Sequence, residues 1–181
     1  MSKFQKITKL YLVLFACLSI VNHPDVFAGD IDKTEALILE SAEKFFISLK
    51  ERNYKTAWGL ISEKSQKTII DDIYNASRKR GTDIEKENII TDFNRNGIIF
   101  NNYWNAFLNN FDPDVVLNER VWELEDIKPD YSAILLKNKN KNPTRLQMYK
   151  ENDHWKVGFV ETFWPGKTRE IISYLSSLLF R

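Results

Sequence analysis

The chain is poor in the residues that carry covalent and metal chemistry. Among 181 residues there is one cysteine, Cys17, and there are two histidines, His23 and His154. A lone cysteine cannot close an intramolecular disulfide, so the fold is held by its core. Two imidazoles and one thiol do not supply the ligands of a zinc or copper site. A Ser-His-Asp triad would lack a nucleophile-elbow motif. No Asp-x-Asp-x-Asp-Gly loop offers a calcium site, so neither a metal nor another cofactor is expected. Charge of one sign is also lacking. The 26 basic and 25 acidic residues leave a formal net of +1, too little to attract nucleic acid or an anionic membrane surface. No stretch reads as an internal repeat or a domain linker.

Long hydrophobic runs are absent as well. The longest, Leu10 to Val21, is broken by Ser19 and falls short of the roughly 20 residues that span a bilayer. Lys3, Lys6 and Lys9 precede it, and Val26-Phe27-Ala28 follows Pro24. This basic, apolar, small-residue order predicts a cleavable secretory signal peptide over residues 1–28, with Gly29 as the first exported residue. The expected location is periplasmic or secreted, with no stable membrane span after processing. An uncleaved anchor is one alternative. A lipoprotein is the other, because Leu14-Phe15-Ala16-Cys17 loosely resembles a lipobox, although Phe15 is bulky and the apolar run continues beyond Cys17. The segment removes three basic residues and one acidic one, so residues 29–181 carry a formal net of −1 and His154 as their only histidine. That length suits one domain.

What is present is patterned. Asp32 and Glu35 have capping-box spacing, and Ile38, Ala42, Phe45, Phe46 and Leu49 recur at helical spacing behind them. A short helix is predicted over Tyr54 to Ile61. Ser62 caps a third, with Ile69, Ile70, Ile73 and Tyr74 on its buried side and Gly81 at its end. Thr82 and Glu85 repeat the capping spacing for a fourth helix towards Gly97. Phe100, Tyr103, Trp104, Phe107, Leu108 and Phe111 define a fifth, which Asp112-Pro113-Asp114 is expected to close. The period then changes to two. Strands are predicted over Val121–Glu125, Tyr131–Leu136, Arg145–Tyr149 and Trp155–Val160, with a polar loop over Lys137 to Pro143 and a turn at Glu151-Asn152-Asp153. Ile171, Ile172, Tyr174, Leu175, Leu178 and Leu179 predict a closing helix. Helices followed by an antiparallel meander make an α+β domain: N-terminal helices on a curved sheet of about four strands, cone-shaped, with a C-terminal helix.

Two stretches resemble the nuclear transport factor 2-like superfamily in its exported bacterial members. The first is Ala42-Glu43-Lys44-Phe45-Phe46, Leu49, Asn53-Tyr54 and Ala57-Trp58-x-Leu60-Ile61-Ser62; the second is Asn152-Asp153-His154-Trp155-Lys156-Val157. The resemblance implies a conical pocket, used by such proteins for isomerisation, for small-ligand binding or for protein docking. The helical middle from Thr82 to Phe111 is longer than in the simplest members. No motif fixes the Asp or His base and the Tyr or Asp oxyanion donor of the superfamily's enzymes, and a shared fold does not carry an activity across.

Candidate sites follow from the aromatics. Tyr103, Trp104, Trp122, Tyr149 and Trp164 are the predicted ligand-binding residues, lining an apolar cavity between helices and sheet. Core burial is the competing role for each of them. No catalytic residue is assigned. Glu123 and Glu125, on one face of a strand and near Asp126 and Asp130, would serve a pocket enzyme if buried. Solvent exposure is the plainer expectation, with Trp122 and Leu124 facing inward. His154 reads as a turn residue and Arg78-Lys79-Arg80 as a solvated helix end. The expected function is non-catalytic binding of a small apolar molecule or an envelope protein. The alternatives are an isomerase or dehydratase using a buried carboxylate and a structural subunit of an envelope complex.

Overall fold

The computed structural model describes residues 25–138 and 141–164. Contacts divide the chain into two units, Met1–Thr34 and Glu35–Arg181. Seven helices and four strands are described: α1 Asp25–Lys50, α2 Tyr54–Gly59, α3 Glu63–Lys79, α4 Lys86–Asn94, α5 Ile98–Leu108, α6 Pro113–Glu119, β1 Val121–Glu125, β2 Tyr131–Asn138, β3 Lys141–Glu151, β4 His154–Val157 and α7 Phe159–Phe163. The order is α+β, with helices first, an antiparallel sheet β1-β2-β3-β4 and a short final helix.

The apolar stripe of α1 places Ile38, Ala42, Phe45, Phe46 and Leu49 fully inside. Phe46 meets Trp122 of β1 at 5.7 Å between ring centroids, and Ser41 donates to the Trp155 carbonyl at 2.6 Å. The helix thus lies on the sheet face that carries Trp122 and Trp155. Period two fixes that face: Trp122 pairs with Leu136, Ile134 with Leu146, and Met148 with Val157. Ser62 caps α3 as its spacing predicts, accepting from the Ser65 amide at 3.1 Å. Asn152 and Asp153 both take positive φ in the two residues between β3 and β4, a conformation that Asn and Asp tolerate in tight hairpins. Val157 then ties sheet to helices: its amide donates to the Leu60 carbonyl at 2.8 Å and its carbonyl accepts from the Ser62 amide at 2.9 Å.

Several boundaries differ from expectation. Helix α1 begins at Asp25, so Asp32 lies within it and the Asp32/Glu35 spacing is not its cap; the same i, i+3 spacing occurs inside any helix. Helix α4 starts at Lys86 after Glu85, not after Thr82, and no side chain caps it. Pro113 opens a helix instead of closing the helical half. It occupies the first turn, where its missing N–H costs nothing, while Asp112 accepts from the Asp114 amide at 2.9 Å. The polar loop over Lys137 to Pro143 is largely strand, since pairing continues to Asn138 with Lys141. Phe159 and Val160 leave the fourth strand for α7, because Gly158 turns the chain after Val157. The predicted signal peptide up to Pro24 and the predicted helix around Ile171 to Leu179 lie outside the described residues.

Candidate functional site

Helix α5 concentrates aromatics because its sequence repeats them at i, i+3, i+4 and i+7. Phe100, Tyr103, Trp104 and Phe107 are all buried, Tyr103 at 2% and Trp104 at 0% exposure. Side chains from other elements bind it into a continuous ring cluster. Tyr103 meets Phe93 at 6.1 Å and Trp164 at 6.1 Å; Trp104 stacks on Tyr54 at 6.1 Å and meets Phe159 edge-on at 5.4 Å. The α5 N-terminus is capped from outside. Asp92 of α4 accepts from the Phe100 amide at 2.8 Å, and a Cβ on Gly97 would collide with that carboxylate.

Within this apolar cluster two donors have no acceptor: the Tyr103 hydroxyl and the Trp104 indole N–H are buried and unpaired. Other polar aromatics show what pairing looks like in the same fold. Tyr54 donates to Asn105 Oδ1 at 2.6 Å, Trp122 Nε1 to the Val116 carbonyl at 3.1 Å, and Tyr149 to Gln147 Oε1 at 2.8 Å. An orphaned buried donor costs about 1–3 kcal/mol, so folds keep few of them.

A third orphan lies on α3. Asp72 Oδ2 is buried without a partner. Its position follows from α3, where Ser65, Ile69, Asp72 and Ala76 form one stripe at i, i+4, i+7 and i+11. Ser65 anchors that stripe to α7, donating to Glu161 at 2.9 Å and accepting from the Val160 amide at 3.1 Å. Burial raises the Asp72 carboxyl to about 6, the neighbouring charge of Asp71 adds to this, and Lys79 opposes it. The Tyr103 hydroxyl is raised well above its ordinary value, by burial first and then by the charge of Asp72. Asp71 is engaged elsewhere, in an ion pair with Lys86.

Of the five predicted ligand-binding residues, Tyr103, Trp104 and Trp164 come together here. Trp122 sits apart, against Phe46 and the end of α6. Tyr149 pairs with Tyr131 in register and belongs to the opposite sheet face, its ring 5.5 Å from that of Tyr131. Glu123 is exposed and paired with Lys137, while Glu125 lies 3.8 Å from Arg145, which also pairs with Asp126. Asp130 and His154 are exposed, the latter beside a groove of about 200 Å³ between α1 and the β3–β4 turn. Arg78 lies over the Tyr74 ring at the exposed end of α3. A second groove, of about 290 Å³, opens between α2, α3 and α4, with Trp58, Ile70 and Phe93 in its walls. Among the described residues no group of three or more Asp, Glu, His or Cys is placed to hold a metal, and no helix is long and apolar enough to cross a membrane.

Asp72 was not singled out as a site residue from the sequence. The available signal is a carboxylate three residues after Ile69 and four before Ala76, on an otherwise apolar stripe. No protein-family model, no curated protein and no solved structure matches this chain.

Proposed function

We propose that the exported domain, starting at Gly29 and shaped as a nuclear transport factor 2-like cone, binds a small, mainly apolar molecule without transforming it. One observation carries this reading: two buried donors, Tyr103 Oη and Trp104 Nε1, lack acceptors inside a cluster of aromatic rings. Apolar walls with a few convergent polar atoms are the composition of small-molecule sites, and a ligand acceptor atom would relieve the unpaired donors. Titration with prodan, an apolar naphthyl ketone, tests this. Binding at one site per chain, weakened about tenfold in Tyr103→Phe, is expected for the loss of one buried hydrogen bond. No binding, or equal binding by the variant, would refute it.

A second reading rests on Asp72. A half-buried carboxyl raised to about 6, whose charge bears on a buried tyrosine, is a usable proton acceptor. In that case the site is a pocket enzyme of the isomerase or dehydratase type. Asp72→Asn separates the two: it abolishes proton exchange at the α-carbon of a bound ketone if Asp72 is a base, and leaves ketone binding intact in both cases.

A further inference from the structure

We infer that the body of the bound molecule rests in the groove of about 290 Å³ between α2, α3 and α4, an inference that rests on the small-molecule reading above. Tyr103 and Trp104 are buried, so a ligand that meets them needs an open surface adjoining their rings. The groove supplies one. Phe93 belongs to both places: it lines the groove, and its ring stands 6.1 Å from that of Tyr103. The same ring meets Trp58, also in the groove wall, at 4.9 Å and Phe100 of α5 at 5.3 Å. The wall of the groove is therefore continuous with the aromatic cluster of α5.

The lining selects the ligand's chemistry. Trp58, Ile70, Ile90 and Phe93 form its apolar part, and Ile90 is a large apolar side chain left 39% exposed there. Gln66 fixes the Trp58 backbone, its Nε2 donating to the Trp58 carbonyl at 2.8 Å. Three charged side chains reach the groove: Glu63, Lys67 and Lys86. Lys86 is neutralised by its ion pair with Asp71. That leaves one anion and one cation, a turn apart on α3, and so no net charge to draw in an acid or an amine. The volume matches the smaller end of small-molecule sites. The class that fits is a neutral, ring-bearing body tipped with a hydrogen-bond acceptor. The body lies against Trp58, Ile70 and Ile90, and the acceptor is led past Phe93 to Tyr103.

Prodan titrated into wild type, Ile90→Glu, Leu37→Glu and Tyr103→Phe tests this. Ile90→Glu sets a carboxylate in the apolar wall at an exposed position that the fold can accept, and it should weaken prodan about tenfold or more. Leu37→Glu makes the same change at an exposed leucine of the other groove, and should leave the affinity within about twofold. In competition against prodan on wild type, 2-acetylnaphthalene should act at about one tenth of the concentration that 2-naphthoate needs. An acid that competes equally well would overturn the neutral class. If Ile90→Glu binds prodan as wild type does while Tyr103→Phe is weakened, the groove assignment falls and the small-molecule reading stands. Equal losses in Ile90→Glu and Leu37→Glu also overturn the assignment, because added charge alone then explains them. A loss in Ile90→Glu with none in Tyr103→Phe supports the groove and removes the reading at Tyr103. If wild type does not bind prodan, both fall.

Discussion

Replacing Tyr103 by Phe should stabilise the unliganded protein. The substitution keeps the ring, and with it the contacts to Phe93, Trp104 and Trp164. It deletes one hydroxyl that is buried at 2% residue exposure and has no partner. Stranding a hydroxyl away from water costs about 1–3 kcal/mol. Against this stands the small void left by one oxygen, less than a methyl group, worth about 1 kcal/mol or less. The balance is a gain of about 1 kcal/mol, or a Tm increase of about 2–4 °C for a domain near 150 residues. Urea unfolding followed by circular dichroism, with the slope unchanged, measures it directly. A loss of about 1 kcal/mol or more would refute the reasoning, because it would mean that the hydroxyl makes a stabilising hydrogen bond in solution.

Asp72 makes stability depend on pH. Its folded-state value of about 6 lies above the ordinary 3.8, so the protonated form is favoured in the fold. Its contribution is fully present below pH ~4 and is lost as pH rises through ~6, a change of about 1–2 kcal/mol after allowing for partial solvent screening. Asp72→Asn should remove that segment of the pH–stability curve; an unchanged curve would show that Asp72 does not carry it. Trp155→Ala should cost about 3–5 kcal/mol, since the side chain is 5% exposed on the inner sheet face. A denaturant midpoint close to wild type would contradict that burial. Gly158→Ala should cost about 1–3 kcal/mol by overpacking, because its Cβ would stand 2.5 Å from Tyr149 Cε2. Thermal melting decides it, and the double variant with Tyr149→Ala should recover the loss if that contact is the cause.

Elements with strong periodicity were legible residue by residue. The buried face of α1, the aromatic stripe of α5, the Ser62 cap and the Asn152-Asp153 turn all follow from local spacing and local backbone preference. So does the inward Trp122, Trp155 and Val157 against outward Glu123, because alternation along a strand is local as well. Boundaries were less legible. Asp-Pro at Asp112-Pro113 stops one helix and starts another with equal ease, and only the packing of Pro113 and Val116 into the interior selects the second outcome. Lys and Asn between Leu136 and Pro143 suggest a loop, yet ladder pairing with the neighbouring strand extends both β2 and β3 into them.

The sequence by itself determined the class: helices then strands, one core without disulfides, aromatic faces at helical spacing. It also held Tyr103, Trp104 and Trp164 within a candidate group of five, of which Trp122 and Tyr149 lie elsewhere. Tertiary structure decided which polar atoms are left over. Whether an aromatic hydroxyl or indole finds an acceptor depends on its neighbours in space: Asn105 serves Tyr54, and Val116 serves Trp122, while among the described residues none serves the Tyr103 hydroxyl, the Trp104 indole N–H or Asp72 Oδ2. Hydrogen-bond satisfaction is a property of three-dimensional neighbours, so periodicity can place a side chain inside but cannot say whether it is paired there.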